Sequence, residues 1–481
     1  MPDTSLAFKT ATECLSLLAH GEVSSLELLE VYLARIERYD ADLNCYCWLG
    51  AEQAREAAAA VKELPSQEKP LLGLPMSIKE AFNLVGAPTT WGVCEYRDNI
   101  ATSDAVVVER LKAAGAIIYG KTNVSEYLDD IQSFNDVYGT TNNPWNRDRT
   151  PGGSSGGSAA SLATGMTSLE VGSDIGGSIR TPSHFCGIFG HKPTWALIPS
   201  RGHALPGSCV EPDINVVGPM ARSANDLDLL LDVLAHPDLL QSGLRYELPG
   251  LGDRRLADLK VAVWSNDDVA PVSGAVEAGV HKVAEALRAN GATVDVTARP
   301  AFSSRHTQDV YYALLNAFVG TALPAEQYDA LYHQAAAQDA DDQSEPANDA
   351  RQRTMSHQRW QQLHEQRERL RWHWHEFFQD FDALIAPQTA TTAFAHDHRP
   401  MYERTHNVDG AVQPYWQQIF WAGLPGISHL PSTVIPTGPA DDGLPVGVQV
   451  IGPAYADKVT VGVAALLEAE GFEFQPPPGY C

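Results

Sequence analysis

Cysteine is sparse and unpatterned in this chain. The seven residues, at positions 14, 45, 47, 94, 186, 209 and 481, are odd in number, scattered and without CxxC spacing. They read as buried thiols, and they exclude a disulfide framework, a zinc site and a redox role. No apolar run reaches the roughly 18 residues that a membrane span needs. The stretch from Met1 to His20 lacks a basic start followed by an apolar core and a small-residue cleavage site. A cytoplasmic protein with no membrane partner is expected. Basic charge is also short: 34 Lys and Arg stand against 60 Asp and Glu, a formal charge of −26. A nucleic-acid partner is excluded, because its binding face would have to be built against the repulsion of the whole molecule. There is no HExxH and no internal repeat.

What is present reads as an α/β enzyme. A prior of about 150 residues per domain suggests about three domains, yet large α/β enzymes build one extended sheet from that much chain. One large core is expected. Residues 11–20 and 24–39 read as helices, the second opened by Ser24 with Glu27 three residues on. Gly73 to Glu80 reads as a short apolar strand that delivers Lys79 into an uncharged neighbourhood. A helix over 104–114, capped by Ser103 and stopped at Gly115, leads to a strand at Ala116–Tyr119. Ser223 caps another helix. Lys260–Trp264, a helix near 274–289 and Ala292–Thr297 form a strand-helix-strand unit, which predicts parallel sheet. Residues 330–350 are polar and acidic and read as a surface excursion, followed by a long helix at about 352–380 and a buried strand at Ala383–Ala386. Gly443–Gly452 reads as a strand that closes the sheet, before a last helix around 457–469.

Two motif matches fail on context. Gly115–Thr122 fits the phosphate-loop pattern GxxxxGK(S/T), but a helix precedes it and its central residues are Ile-Ile-Tyr, which is strand. Gly152-Gly-Ser154-Ser-Gly156 fits GxSxG, but no strand precedes the serine and no His and Asp complete a triad. The histidines at 357, 364, 373 and 375 suggest a metal site near Glu365 and Glu376. Residues 373 and 375 point to different helix faces, so surface or rim positions are the better reading. His396 and His398 are assigned nothing.

The chemistry concentrates in residues 151–180, where two glycine-packed turns carry serines: Pro151-Gly-Gly-Ser-Ser-Gly-Gly-Ser158 and Gly172-Ser-Asp-Ile-Gly-Gly-Ser-Ile-Arg180. Consecutive N–H groups converge on one point only where the backbone takes conformations that glycine tolerates, so Asp174–Ser178 has the composition of an oxyanion hole. Singly, each turn is equally a Gly/Ser turn or an anion-binding nest. With no histidine base beside the serines, the available proton acceptor is a lysine, provided the site holds it neutral.

Together these segments resemble the amidase signature family. The match extends through Lys79 in Leu-Pro-Met-Ser-Ile-Lys, Asn142-Asn-Pro-Trp145, Phe185-Cys-Gly-Ile-Phe-Gly-His-Lys-Pro193, Gly218-Pro-Met-Ala-Arg-Ser223 and Gly443-Leu-Pro-Val-Gly-Val-Gln449. The resemblance implies a large mixed, twisted central sheet covered by helices on both faces, in one domain over residues 1–481 with a mainly helical insertion at about 300–380. It implies Ser178 as nucleophile, Ser154 as bridging serine after a cis peptide bond from Gly153, and Lys79 as base. Backbone N–H groups of Ile175, Gly176, Gly177 and Ser178 would form the oxyanion hole, with Ser155, Asp174 and Arg180 orienting the turns. The implied reaction is hydrolysis of a small amide, with carbamate or ester open to the same machinery, and no cofactor or metal. Aromatics in the insertion suggest an aryl or apolar group. Asp129 and Asp130, near the implied entry, read either as a bar to anionic substrates or as a solvated pair. The expected partner is the small-molecule amide, with a homodimer left open. The alternative is the glutaminase subunit of a tRNA-dependent amidotransferase. Thr122–Phe134 departs from the Glu-Phe and Gly-Ser-rich pattern of those glutaminases, which favours a stand-alone hydrolase.

Overall fold

Two capping boxes start the fold. Thr10 and Ser24 each accept the N–H of a glutamate three residues on, Glu13 and Glu27, whose carboxylates reach back to the cap N–H, and the helices Ala11–His20 and Ser25–Leu43 follow. The structure, a computed structural model, describes residues 4–339, 341–342 and 344–480. Cys481 and the first three residues of the stretch read for a leader lie outside the described residues. No helix among the described residues is long and apolar enough to cross a membrane.

Strands β1 (Tyr46–Leu49), β2 (Pro75–Lys79) and β3 (Ile117–Thr122) form a small sheet with β3 in the centre, antiparallel to β1 and parallel to β2. The helix before β3 runs Val106–Ala113, and its cap position is Ala105, not Ser103. Asp104 instead accepts the Val85 N–H and pairs with Lys112, so the helix begins after it and no side chain caps it.

Two short ladders, β4 (Phe134–Asn135) with β5 (Gly139–Thr140) and β12 (Thr405–Val408) with β13 (Ala411–Pro414), lie apart from the main sheet. That sheet contains β6 (Glu170–Asp174), β7 (Phe189–Lys192), β8 (Val216–Ala221), β9 (Lys260–Val263), β10 (Thr293–Asp295), β11 (Ala383–Pro387), β14 (Ser432–Pro439) and β15 (Pro445–Ile451). Their order is β10-β9-β11-β15-β14-β7-β8-β6. Only β10–β9 and β9–β11 are parallel, so the parallel pattern predicted from residues 260–297 holds at one edge and the rest is antiparallel. The tight turn between β14 and β15 makes them a hairpin, which can only pair antiparallel. The strand expected to close the sheet, β15, lies inside it, bonded to β11 and β14 and buried along its whole length.

Both faces of the sheet are covered. On β15, Val446 packs against Gly279 of the helix Gly274–Ala289, while the next residue, Gly447, abuts His184 of the helix Arg180–Cys186. Successive residues of a strand point to opposite faces, so the two helices lie on opposite sides.

The small sheet docks beside β6 through side chains. Thr167 Oγ1 accepts the Ser77 N–H at 3.0 Å, Ser168 Oγ donates to the Pro75 carbonyl at 2.7 Å, and Ser77 Oγ donates to the Glu170 carboxylate. This contact brings the end of β2 alongside the end of β6.

Four helices, Ser304–Gly320, Ala325–Ala337, Glu345–Arg353 and His357–Phe377, lie between β10 and β11 among the described residues. Residues 330–350, read as a surface excursion, lie largely in two of these helices; the first buries no residue, and the second follows Ser344 at its cap position, with Pro346 in its opening turn. Tyr311, Leu314 and Leu363 from this segment join Ile131, Ile214 and Ile419 in a buried cluster, with Ile175 packed against it. The thiols are less uniform than expected. Cys14, Cys45 and Cys186 are buried, whereas Cys94 and Cys209 are exposed and Cys47 is half-buried.

Candidate active site

Strand β2 ends on Lys79, whose side chain is wholly buried. Its Nζ donates to Ser154 Oγ at 2.7 Å and to Ser173 Oγ at 2.9 Å. Burial pulls the ammonium down from 10.5 to about 7, against the opposing pull of Asp174, Glu170 and Glu80. Glu170 is itself buried, and desolvation raises it to about 8 in spite of its hydroxyl partners. The peptide bond between Gly153 and Ser154 is cis. Ser133 Oγ ties this turn together, donating to the Gly152 carbonyl at 2.9 Å and accepting the Gly156 N–H at 3.0 Å.

The second turn leaves β6 at Asp174. Its carboxylate accepts the N–H of Gly177 at 2.9 Å and of Ile179 at 3.1 Å, and it takes Nε and Nη2 of Arg180 at 3.0 and 2.8 Å. Burial pushes this carboxyl up, but Arg180 and the surrounding donors outweigh it and hold Asp174 at about 2. Arg180 and Asp174 are both fully buried, and Nη1 of Arg180 continues to Gln449 Oε1 at 3.0 Å. The pair clamps the loop between them. Gly177, at φ +109, takes a conformation that a side chain would resist.

Ser178 is 8% exposed at the end of this loop, and its carbonyl accepts the Ser155 N–H at 3.1 Å, which joins the two turns. Among the described residues no hydrogen bond links Ser178 Oγ to Ser154 Oγ. The N–H groups of Ile175, Gly176 and Ser178 have no acceptor among the described residues, whereas that of Gly177, expected to belong with them, is already donated to Asp174.

Several participants escaped the sequence reading. Ser173 follows from β-strand alternation, since it precedes the loop on β6 and faces away from Asp174. Tyr311, whose hydroxyl donates to the Ile175 carbonyl at 3.0 Å, carries no local signal at all. Nor does Gln388, whose Nε2 donates to Thr181 Oγ1 at 3.0 Å beside Gly177.

Other expectations resolve differently. Asp130 is neither solvated nor open to substrate: it is buried, with Arg404 Nη1 at 2.6 Å and the Tyr415 hydroxyl at 2.6 Å on its two oxygens. Asp129 beside it is half-buried, and desolvation raises it to about 6. Lys121 of the phosphate-loop match is buried on β3 and donates to the Pro88 carbonyl and to Thr89 Oγ1. The residues before Ser154 form a loop and not a strand. Among the described residues no group of three or more His, Cys, Asp or Glu side chains is arranged to hold a metal ion.

Comparison with known proteins gives one consistent answer. The family model described as Amidase matches residues 27–461. The chain is 36% identical over 491 residues to "Putative amidase AmiB2" of Mycobacterium tuberculosis, covering 98% of this chain and 97% of that one. It is 33% identical over 486 residues to a glutamyl-tRNA(Gln) amidotransferase subunit of Roseiflexus castenholzii, covering 93% of each. A solved bacterial aryl acylamidase of the amidase signature family superposes with a TM-score of 0.80 at 25% identity, over 98% of this chain and 97% of that one. The chain therefore belongs to the amidase signature family, and it is an amide hydrolase.

Proposed function

We propose that the chain hydrolyses a small amide with an aryl or otherwise apolar group through an acyl-enzyme on Ser178, with Lys79 as base and Ser154 as proton bridge. The observation that carries the reading is the fully buried Lys79 amine, 2.7 Å from Ser154 Oγ and shifted to about 7. An amine near neutrality is a working base at physiological pH. Neutral Lys79 takes the Ser154 proton as Ser154 takes that of Ser178, and Ser178 Oγ bonds to the amide carbon. The N–H groups of Ile175, Gly176 and Ser178 receive the developing oxyanion, while Gly177 spends its N–H on Asp174. The C–N bond then breaks, the proton returns from Lys79 through Ser154 to the leaving amine, and water releases the acid from the ester. Hydrogen bonds that lengthen or open in a free enzyme close when substrate is bound, so the unjoined Ser154 and Ser178 are compatible with this relay.

The apolar preference rests on the Ile131, Ile214, Tyr311 and Ile419 cluster against Ile175, and on the likeness to an aryl acylamidase. Carbamates and esters present the same carbonyl to the same loop. The similarity to a tRNA-dependent amidotransferase component favours a second reading, glutamine hydrolysis within a complex. A panel of aryl amides, aryl carbamates and glutamine, offered to the purified chain and to Ser178→Ala and Lys79→Ala, separates them. Turnover of aryl amides and not of glutamine, with no partner protein added, is expected, with a loss of at least about 10³-fold in either variant. Turnover of glutamine only, and only with a partner protein, would replace the first reading by the second. Full activity in Ser178→Ala would end the mechanism.

A further inference from the structure

A cavity of about 470 Å³ opens beside the helix His357–Phe377. None of Lys79, Ser154 and Ser178 lines it. We propose that it is a second binding site, for an aromatic carboxylate, with the ring against Trp195 and Trp360 and the carboxylate on Arg371.

The walls suit a flat ring. Trp195 stacks on His429 at 4.6 Å and 20°, and Trp360 stacks on His364 at 5.1 Å and 27°, and all four line the cavity. Each stack is braced from behind: Trp195 Nε1 donates to the Pro212 carbonyl at 3.0 Å, and His364 Nδ1 accepts from Arg367 Nη2 at 2.8 Å. Rigid aromatic faces give contact area at low entropic cost.

The polar groups leave a surplus of donors. Asp213 has both oxygens on Arg367 Nη1, at 2.7 and 2.8 Å, and Glu368 has both on Arg371 Nη1, at 2.9 and 3.0 Å. Glu211 accepts the Ser200 N–H at 3.2 Å. A guanidinium carries five N–H donors, and among the described residues Nε and Nη2 of Arg371 find no acceptor. The Arg371 side chain is 36% exposed, which leaves those donors open to a ligand. Within the wall, Arg367 Nε and His429 Nε2 are buried without a hydrogen bond, the latter 3.6 Å from Asp213. With Asp213 and Glu368 each held by an arginine, the spare donors of Arg371 favour a ligand that accepts, and a carboxylate meets an arginine fork with two oxygens.

The backbone is unusual at the same place. Nine non-glycine residues among those described have positive φ, and His429 and Tyr455, both in the lining, are two of them. Two more, Ala196 and Ile214, directly follow the lining residues Trp195 and Asp213. Such conformations collect where a site, and not the fold alone, fixes the chain.

The test is titration of the ¹⁵N-labelled full chain with anthranilate, following the indole N–H resonances. Saturable shifts of the Trp195 and Trp360 signals are expected. Arg371→Gln, a half-exposed position whose melting curve should match wild type, should weaken binding about tenfold. Cyclohexanecarboxylate, which has the charge without the flat ring, should bind more weakly than anthranilate. The proposal is overturned if neither indole shifts, if Trp91 and Trp416 shift in their place, if Arg371→Gln binds as wild type does, or if the saturated acid binds equally well.

Discussion

The proposed role of Lys79 as base rests on where it is, and the same burial dictates its pH dependence. Desolvation lowers the pKa from 10.5 to about 7, so the amine is protonated below that value and neutral above it. On the proposed mechanism, kcat/KM should rise with pH through about 7 and then level, and the profile is read on any amide that is turned over. Asp174 shows the opposite outcome of burial, since Arg180 sits against it and the carboxylate stays charged. Removing one partner of such a pair leaves an uncompensated buried charge. Arg180→Met should therefore cost about 3–5 kcal/mol of stability in a urea melt and should also lower kcat by loosening the Ile175–Ser178 loop. The residue types were legible from the sequence at these positions, because a lysine closing an apolar strand and an Asp-Ile-Gly-Gly-Ser turn are local patterns. The engagement of Gly177 by Asp174 was not legible, since it depends on how the loop folds back on its own carboxylate.

At the scale of elements, the candidate active site is the meeting of two strand ends and two turns. β2 brings Lys79, β6 brings Ser173 and Asp174, and the turn at 152–155 is wedged between them. That turn has no room to spare. A Cβ on Gly153 would come within 2.5 Å of the carbonyls of Asp130 and Gln132, both main-chain atoms. Gly153→Ala should displace Ser154 and lower kcat/KM at least about 10²-fold, checked together with a circular dichroism spectrum close to wild type. Asp130, whose carbonyl forms part of this wall, is held by Arg404 and Tyr415 from the far side of the chain. Read in sequence, Asp129-Asp130 is a charged pair like any on a surface. Nothing within a few residues announces a cation 274 positions later.

For the whole molecule, the helical segment after β10 reaches the candidate site at Tyr311. The Tyr311 hydroxyl donates to the Ile175 carbonyl, so this segment fixes one end of the proposed oxyanion loop. Tyr311→Phe removes one hydrogen bond and should cost about 0.5–1.5 kcal/mol in a denaturant melt, with a fall in kcat that Phe at the neighbouring Tyr312 does not cause. Tyr312 bonds the Trp416 carbonyl instead, away from that loop.

Fold class, most element positions and the two serine turns were determined by the sequence alone, because strand and helix periodicity, capping boxes and glycine turns act over a few residues. Sheet order was decided by the tertiary structure. β15 reads as a strand wherever it is placed, and only pairing with β11 and β14 puts it inside the sheet. The same holds at residues 151–180. The sequence determined which groups are offered to a substrate. The distances that make Lys79 a partner of Ser154, the depressed pKa that burial imposes, and the N–H groups left free for an oxyanion arise only when segments far apart in the chain exclude water from one another.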